Sequence, residues 1–206
     1  MPGFERWQRT WARLGAAPPG TALFGELIAR YSEPHRKYHT VRHLDECFEK
    51  LEEIQAVAMH LGEIEIALWF HDALYEVKRH DNEAKSADWA RAVSLEAGVA
   101  AAAADRARAL VMVTAHNAVP ADEDQRIVVD VDLSILGAPE ERFDEYEVQI
   151  REEYAWVPEE MFRRKRRGVL AGFLARQRIF GTAAFIDRYE ARARANLARS
   201  IQALKP

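Results

Sequence analysis

His71 and Asp72 stand side by side inside the apolar run Trp69-Phe70-His71-Asp72-Ala73-Leu74-Tyr75. Burying a carboxylate there costs on the order of several kcal/mol unless it finds a partner. Two kinds of partner are open to the pair. One is ordinary core pairing, with His71 bonded to a backbone carbonyl and Asp72 to an arginine. The other is a metal ion. Further residues of ligand chemistry are unevenly placed. His35, His39 and His43 fall within nine residues, His80 and His116 lie at expected helix boundaries, and Asp130 and Asp132 flank Val131 in an apolar stretch. Neutral imidazole and carboxylate suit zinc, iron, manganese and nickel. His39 and His43 have the four-residue spacing that puts two rings on one side of a helix. Thr40, however, reads as the N-cap, which leaves His39 just outside.

The elements that must position these residues read as helices throughout, with no convincing period-two strand. A first helix spans Phe4 to Leu14, with Phe4, Trp7, Trp11 and Leu14 on one face. Pro18-Pro19-Gly20 breaks the chain, and Thr21 caps a second helix, Ala22 to Tyr31. The third is expected from Thr40 to about Met59, the fourth from Gly62 through His71 to about Tyr75. The fifth starts at Asp81 or Asn82 and ends before Gly98, and the sixth runs from Val99 to about His116. Asp122 to Leu136 reads as helix, with a short strand at Ile127-Val128-Val129 as the alternative, and Gly137 stops it. Helices at Glu140 to Tyr154, Pro158 to about Ile179 and Ala183 to Leu204 complete the chain. The pattern predicts an all-α, single-domain bundle over residues 1–206, with residues 31–137 around the candidate site and helices 139–204 packed on them. Trp7, Trp11, Trp69, Phe70 and Trp89 are expected in the core.

The chain has 206 residues, 29 basic and 33 acidic, a net charge of -4 that argues against a general nucleic-acid binder. The dense basic run Arg163-Arg164-Lys165-Arg166-Arg167 reads as a solvated helix surface. Cys47 is the single cysteine, which rules out an intramolecular disulfide and fits a reducing compartment. Met1 to Leu14 lacks the apolar core of a signal peptide, and no run approaches the length of a membrane span. A cytoplasmic location is the expectation; oligomeric state is open.

The order His43, then His71-Asp72, then Asp132 resembles the H…HD…D signature of the HD superfamily of metal-dependent phosphohydrolases, which are all-helical. Tyr38-His39-Thr40-Val41-Arg42-His43 is similar to the Y-H-N-x-x-H segment of cyclic-nucleotide phosphodiesterases. Glu33-Pro34-His35-Arg36, Trp69 to Tyr75, Asp81-Asn82-Glu83 and Asp132-Leu133-Ser134-Ile135-Leu136-Gly137 resemble a bacterial branch known as predicted HD phosphohydrolases. The resemblance implies one or two divalent ions (Mn, Fe, Ni, Co, Zn or Mg) on His43, His71, Asp72 and Asp132, with Asp130 as the competing last ligand. It implies hydrolysis of a small phosphate ester, a nucleotide among the candidates, by a metal-activated water, with His39 as general acid. Glu76 and Glu83 are the candidates to orient that water, and His35, Arg36 and His116 are the candidate substrate contacts, with a second metal as the alternative role for His116. Some relatives that hydrolyse nucleoside monophosphates carry a glutamate three residues after the HD aspartate. Here Tyr75 holds that place and Glu76 follows. The alternative is a regulatory HD-type protein that binds a nucleotide and uses its metal structurally. A diiron oxygenase would need extra histidines, and only His80 and His116 are available.

Overall fold

The computed structural model describes residues 3–205; Met1, Pro2 and Pro206 lie outside the described residues. Ten α-helices and three short 3-10 segments make up the described chain, and no strand occurs among the described residues. The helices are α1 (Phe4–Arg13), α2 (Thr21–Arg30), α3 (Val41–Ile54), α4 (Leu61–Phe70), α5 (Asn82–Glu96), α6 (Ala101–Met112), α7 (Glu123–Asp132), α8 (Glu140–Glu153), α9 (Glu159–Leu174) and α10 (Ala183–Ala203). Ile127-Val128-Val129 is helix, buried within α7, and not strand. No helix among the described residues is long and apolar enough to cross a membrane.

The centre is α4. Every residue from Gly62 to Phe70 is buried, as expected of a helix that is apolar around its whole circumference. It packs against α1, α3, α5, α6 and α7. Its two glutamates face out of this shell to arginines: Glu63 takes a two-pronged contact from Arg106 at 2.6 and 2.8 Å, and Glu65 pairs with Arg13. Trp69 meets Trp7 edge-on, with ring centroids 5.3 Å apart, and donates its indole N–H to Thr10 Oγ1 at 3.1 Å. Trp7, Trp11, Trp69 and Phe70 belong to the core as the sequence indicates, and half-buried Trp89 packs edge-on against Phe70.

Several helices stop earlier than their periodicity indicates, and remote side chains explain where. The third helix, read to Met59 by its period, ends at Ile54 and tightens into a 3-10 turn, Gln55–Val57, after which Asp124 accepts from the Met59 and His60 amides at 2.8 and 3.0 Å, just ahead of α4. The fourth ends at Phe70, not Tyr75, where Arg36 takes the Asp72 and Ala73 carbonyls at 2.6 and 3.1 Å. The sixth ends at Met112, and its continuation turns at His116 into the left-handed region, φ 54°. The ninth ends at Leu174, not Ile179, where Arg194 collects the carbonyls of Leu174, Arg176 and Gln177. A cation over the C-terminal carbonyls satisfies acceptors that the helix cannot and complements its dipole. Thr21 is the first residue of α2 and Gly20 its cap, whereas Thr40 caps α3 as expected through the Arg42 amide.

Past α7 the chain tightens into a 3-10 segment, Leu133–Gly137, clamped onto α10. Asn196 Nδ2 donates to the carbonyls of Leu136 and Ala138, both at 3.0 Å, and Arg192 Nε donates to that of Gly137 at 2.5 Å. A Cβ at Gly137 would sit 2.7 Å from Tyr189 Cβ and 3.1 Å from its carbonyl oxygen. Gly137→Ala should therefore destabilise the fold by about 1–3 kcal/mol. Thermal or urea unfolding checks this; unchanged stability would show that the contact between this segment and α10 yields freely.

Candidate metal centre

Four donor atoms converge where α3, the end of α4 and the end of α7 meet. His43 Nε2 lies 3.1 Å from His71 Nε2, 3.3 Å from Asp132 Oδ1 and 3.6 Å from Asp72 Oδ2. His71 Nε2 lies 3.1 Å from Asp72 Oδ2 and 3.7 Å from Asp132 Oδ1. Ligands held at about 2.0–2.2 Å from one ion stand about 2.8–3.6 Å apart at tetrahedral or octahedral angles; four of the five spacings fall in that range and the fifth, 3.7 Å, is slightly longer. His71 Nδ1 donates to the Leu68 carbonyl at 2.9 Å. That bond fixes the tautomer and leaves the Nε2 lone pair facing the cluster.

Each donor reaches this point for a local reason. His43 lies on the buried face of α3, one turn before Cys47. His71 is the C-cap of α4, so Asp72 has already left the helix when its carboxylate turns back over the site. In a continuous helix the two side chains would diverge by about 100°; the early stop removes that conflict. Tyr31 stabilises it as well, its hydroxyl donating to the Trp69 carbonyl at 3.1 Å and accepting from the Asp72 amide at 3.3 Å. Asp130 and Asp132 lie two apart on α7 and so face roughly opposite ways. Asp132 enters the site. Asp130 faces the start of α10, accepting from the Gly181 and Thr182 amides at 2.7 Å each and from Thr182 Oγ1 at 2.6 Å. Burial drives the Asp130 carboxyl up to about 6 against those three donors.

The cluster is strongly polarised. Burial disfavours a charged His71, yet Asp72 and Asp132 lift its pKa to about 9. Burial likewise opposes ionisation of the two aspartates, and the surrounding histidines hold both well below the usual carboxylate range. The site thus favours positive charge among its two carboxylates, whether carried by protons or by a cation. Cys47 Sγ also lies nearby: one ligand-type atom from each of His43, Cys47, His71 and Asp132 falls within 4.8 Å of the others. The sulfur is nearly equidistant from the two His43 ring nitrogens, 3.7 and 3.8 Å. Asp72 stands outside that group, yet its Oδ2 lies 3.6 Å from His43 Nε2 and 3.1 Å from His71 Nε2. Burial pushes the Cys47 thiol up, which keeps it protonated.

Beside the donors stands His39. Its Nδ1 bonds Glu153 Oε2 at 2.7 Å, and its ring stacks on Tyr75, centroids 4.2 Å apart. Glu153, the last residue of α8, is a hub. Its Oε1 accepts from the amides of Lys37, Tyr38 and His39 at 2.8, 2.8 and 3.1 Å, and its Oε2 from the Tyr75 hydroxyl at 2.8 Å. Burial raises its pKa, but these donors, His39 foremost, pull it down to about 2. His39 is itself raised: burial lowers it, and Asp72 and the Glu153 bond outweigh that. The sequence reading did not single out Glu153, since a glutamate at the end of an acidic helix carries no local sign of burial.

The remaining candidates fall in different places. Arg36 is a correction. Its side chain has no exposed surface and is committed to Glu33 and to the carbonyls of His39, Asp72 and Ala73, so its guanidinium holds the site together and has no N–H facing a substrate. His35 bonds the Tyr75 carbonyl through Nε2 at 2.8 Å and lies at the surface. Glu83 lies half-buried in the first turn of α5, and its charge contributes to raising the Tyr154 hydroxyl. His116 Nε2 bonds Asp132 Oδ2 at 2.9 Å, while its Nδ1 is buried without a partner. Its left-handed backbone costs about 1–2 kcal/mol. In the basic run, Arg166 pairs with Glu147, and Arg163 caps the carbonyls of Ala203 and Lys205.

No protein-family model matches the chain, and neither a curated protein nor a solved structure matches it. The site is therefore read from its own geometry. Two substitutions separate the aspartates. Asp132→Asn should weaken binding of added Mn²⁺ or Co²⁺ by tenfold or more with a small effect on stability. Asp130→Ala should destabilise the fold by about 3 kcal/mol or more through its three lost bonds and leave metal binding per folded molecule intact. Calorimetric titration beside thermal unfolding checks both, and the reverse pattern would exchange the roles of the two residues.

Proposed function

We propose that the chain is a metal-dependent phosphohydrolase of the HD type, acting on a small phosphate ester such as a nucleotide. The observation that carries this reading is a pairing: a four-donor cluster of His43, His71, Asp72 and Asp132 beside a histidine, His39, whose outer nitrogen is occupied by a buried carboxylate. A divalent ion in that cluster would supply Lewis acidity and lower the pKa of a nearby water. The donor set of two imidazoles and two carboxylates suits several ions, manganese, iron, cobalt, nickel and zinc among them.

The protein's own residues account for the proton. Glu153 binds the Nδ1 side of His39, which leaves Nε2 as the proton donor toward the departing oxygen. The same carboxylate, with Asp72, favours the imidazolium and keeps His39 protonated to a higher pH than a free histidine. Water attacks phosphorus and the ester P–O bond breaks; the Nε2 proton passes to the leaving oxygen, and the proton lost by the attacking water goes to solvent, from which His39 is reprotonated. Asp72 serves twice, as donor in the cluster and as the charge that sustains the acid.

A general acid must be protonated, so the rate should fall as pH rises through the raised His39 pKa. Glu153→Gln removes part of that support and should move this alkaline limb to lower pH. His39→Ala should lower turnover about 10²- to 10⁴-fold while metal content stays at the wild-type level. A screen of phosphomonoesters, cyclic nucleotides, nucleoside triphosphates and pyrophosphate with added Mn²⁺, Co²⁺ or Ni²⁺ supplies the assay. Wild-type turnover in His39→Ala, or an alkaline limb unmoved in Glu153→Gln, would refute the role of His39.

A further inference from the structure

His116 is joined to the donor cluster without being part of it. Its Nε2 lies 2.9 Å from Asp132 Oδ2, whereas the other oxygen, Oδ1, is the one 3.3 Å from His43 Nε2. Among the described residues, the group of ligand-type side chains that lie within 4.8 Å of one another is His43, Cys47, His71 and Asp132; His116, like Asp72, stands outside it, and His116 meets it through Asp132 Oδ2. The two oxygens of Asp132 are thus divided: one faces the cluster, the other faces His116.

We infer that His116 is a positioning residue that fixes Asp132 as a one-oxygen donor, and that the site holds a single ion. The assignment rests on the metal-centre reading above. The bond is made to a carboxylate oxygen, which accepts, so its proton lies on His116 Nε2. This tautomer makes Nδ1 a lone-pair acceptor, and Nδ1 is the buried atom without a partner. The backbone is held just as firmly. His116 is the one described residue other than glycine with positive φ, and Arg176 Nη2 donates to its carbonyl at 3.3 Å. Phe173 meets the ring edge-on, centroids 5.9 Å apart. An unfavourable backbone conformation and an unpaired nitrogen are both retained at the one place that lets Nε2 reach Asp132. A second ion bridged by Asp132 would need His116 Nε2 as a lone pair and further donors around it, and no second cluster of ligand side chains occurs among the described residues.

The test is calorimetric titration of the full chain with Mn²⁺ and with Co²⁺, giving stoichiometry and affinity for wild type and three variants. His116→Asn suits the left-handed backbone but is too short to reach Asp132. His116→Ala removes the donor outright, and His116→Gln offers an N–H at the original reach. Wild type should take up one ion per chain. Asparagine and alanine should weaken binding about 10- to 100-fold, the usual effect of removing a partner of a ligating side chain, and glutamine should recover most of it. In Co²⁺-loaded protein the visible bands should change in the asparagine variant and return in the glutamine variant. Two ions in wild type falling to one in the asparagine variant would overturn the inference in favour of a second metal site. Unchanged affinity in folded His116→Asn would overturn it while leaving the metal centre standing. No binding by wild type would remove both.

Discussion

The guanidinium of Arg36 holds the site together. It is fully buried, and its donors reach the carbonyls of Asp72 and Ala73 on one side and of His39 on the other. It thereby ends α4 at the residue where His71 can remain a helix cap while Asp72 swings free. It also ties the end of the central helix to the loop that carries the proposed acid. Without that cation, the carbonyls of Asp72 and Ala73, which follow α4, would lose their donor, and Asp72 would lose the anchor that holds its backbone beside His71. A second buried charge, Glu153, does the corresponding work for the loop, gathering three consecutive amides and the His39 ring on one carboxylate.

These two charges surround a centre that is itself short of positive charge. Asp72 and Asp132 are held ionised by histidines that burial would otherwise keep neutral. A divalent cation resolves that tension better than protons do, since it satisfies four lone pairs at once and leaves no imidazole N–H directed at another. The apolar shell around α4 strengthens every one of these interactions by excluding water. Sequence, packing and chemistry meet in this segment: a helix apolar on all sides must be central, and a polar pair at its end is then brought to the middle of the molecule.

Much of this is legible in the sequence. The all-helical architecture follows from periodicity, the Thr40 cap from its residue type, and the grouping of His43, His71, Asp72 and Asp132 from the resemblance to the H…HD…D signature. Asp130 and Asp132, two residues apart on one helix, face different ways, and it is Asp132 that stands beside the two histidines. What periodicity could not supply were the helix ends. Arg36 and Arg194 take carbonyls at and beyond the ends of α4 and α9 from elsewhere in the chain, and nothing local marks them as doing so. Arg36 was read as a phosphate contact for the same reason: an arginine beside a site looks alike in sequence whether it faces substrate or backbone. Glu153, more than one hundred residues from His39, was invisible until the chain folded.

The central claim is that the four side chains share an ion. Elemental analysis of protein purified without chelator, then loaded with Mn²⁺, Co²⁺, Ni²⁺ or Zn²⁺ and desalted, tests it most directly when wild type is compared with His71→Ala and Asp72→Ala. The account predicts close to one retained ion per chain in wild type and marked loss in both variants, with helical content unchanged. Equal metal content in all three folded proteins, or none in wild type under every condition, would contradict it and return His71 and Asp72 to a structural pair.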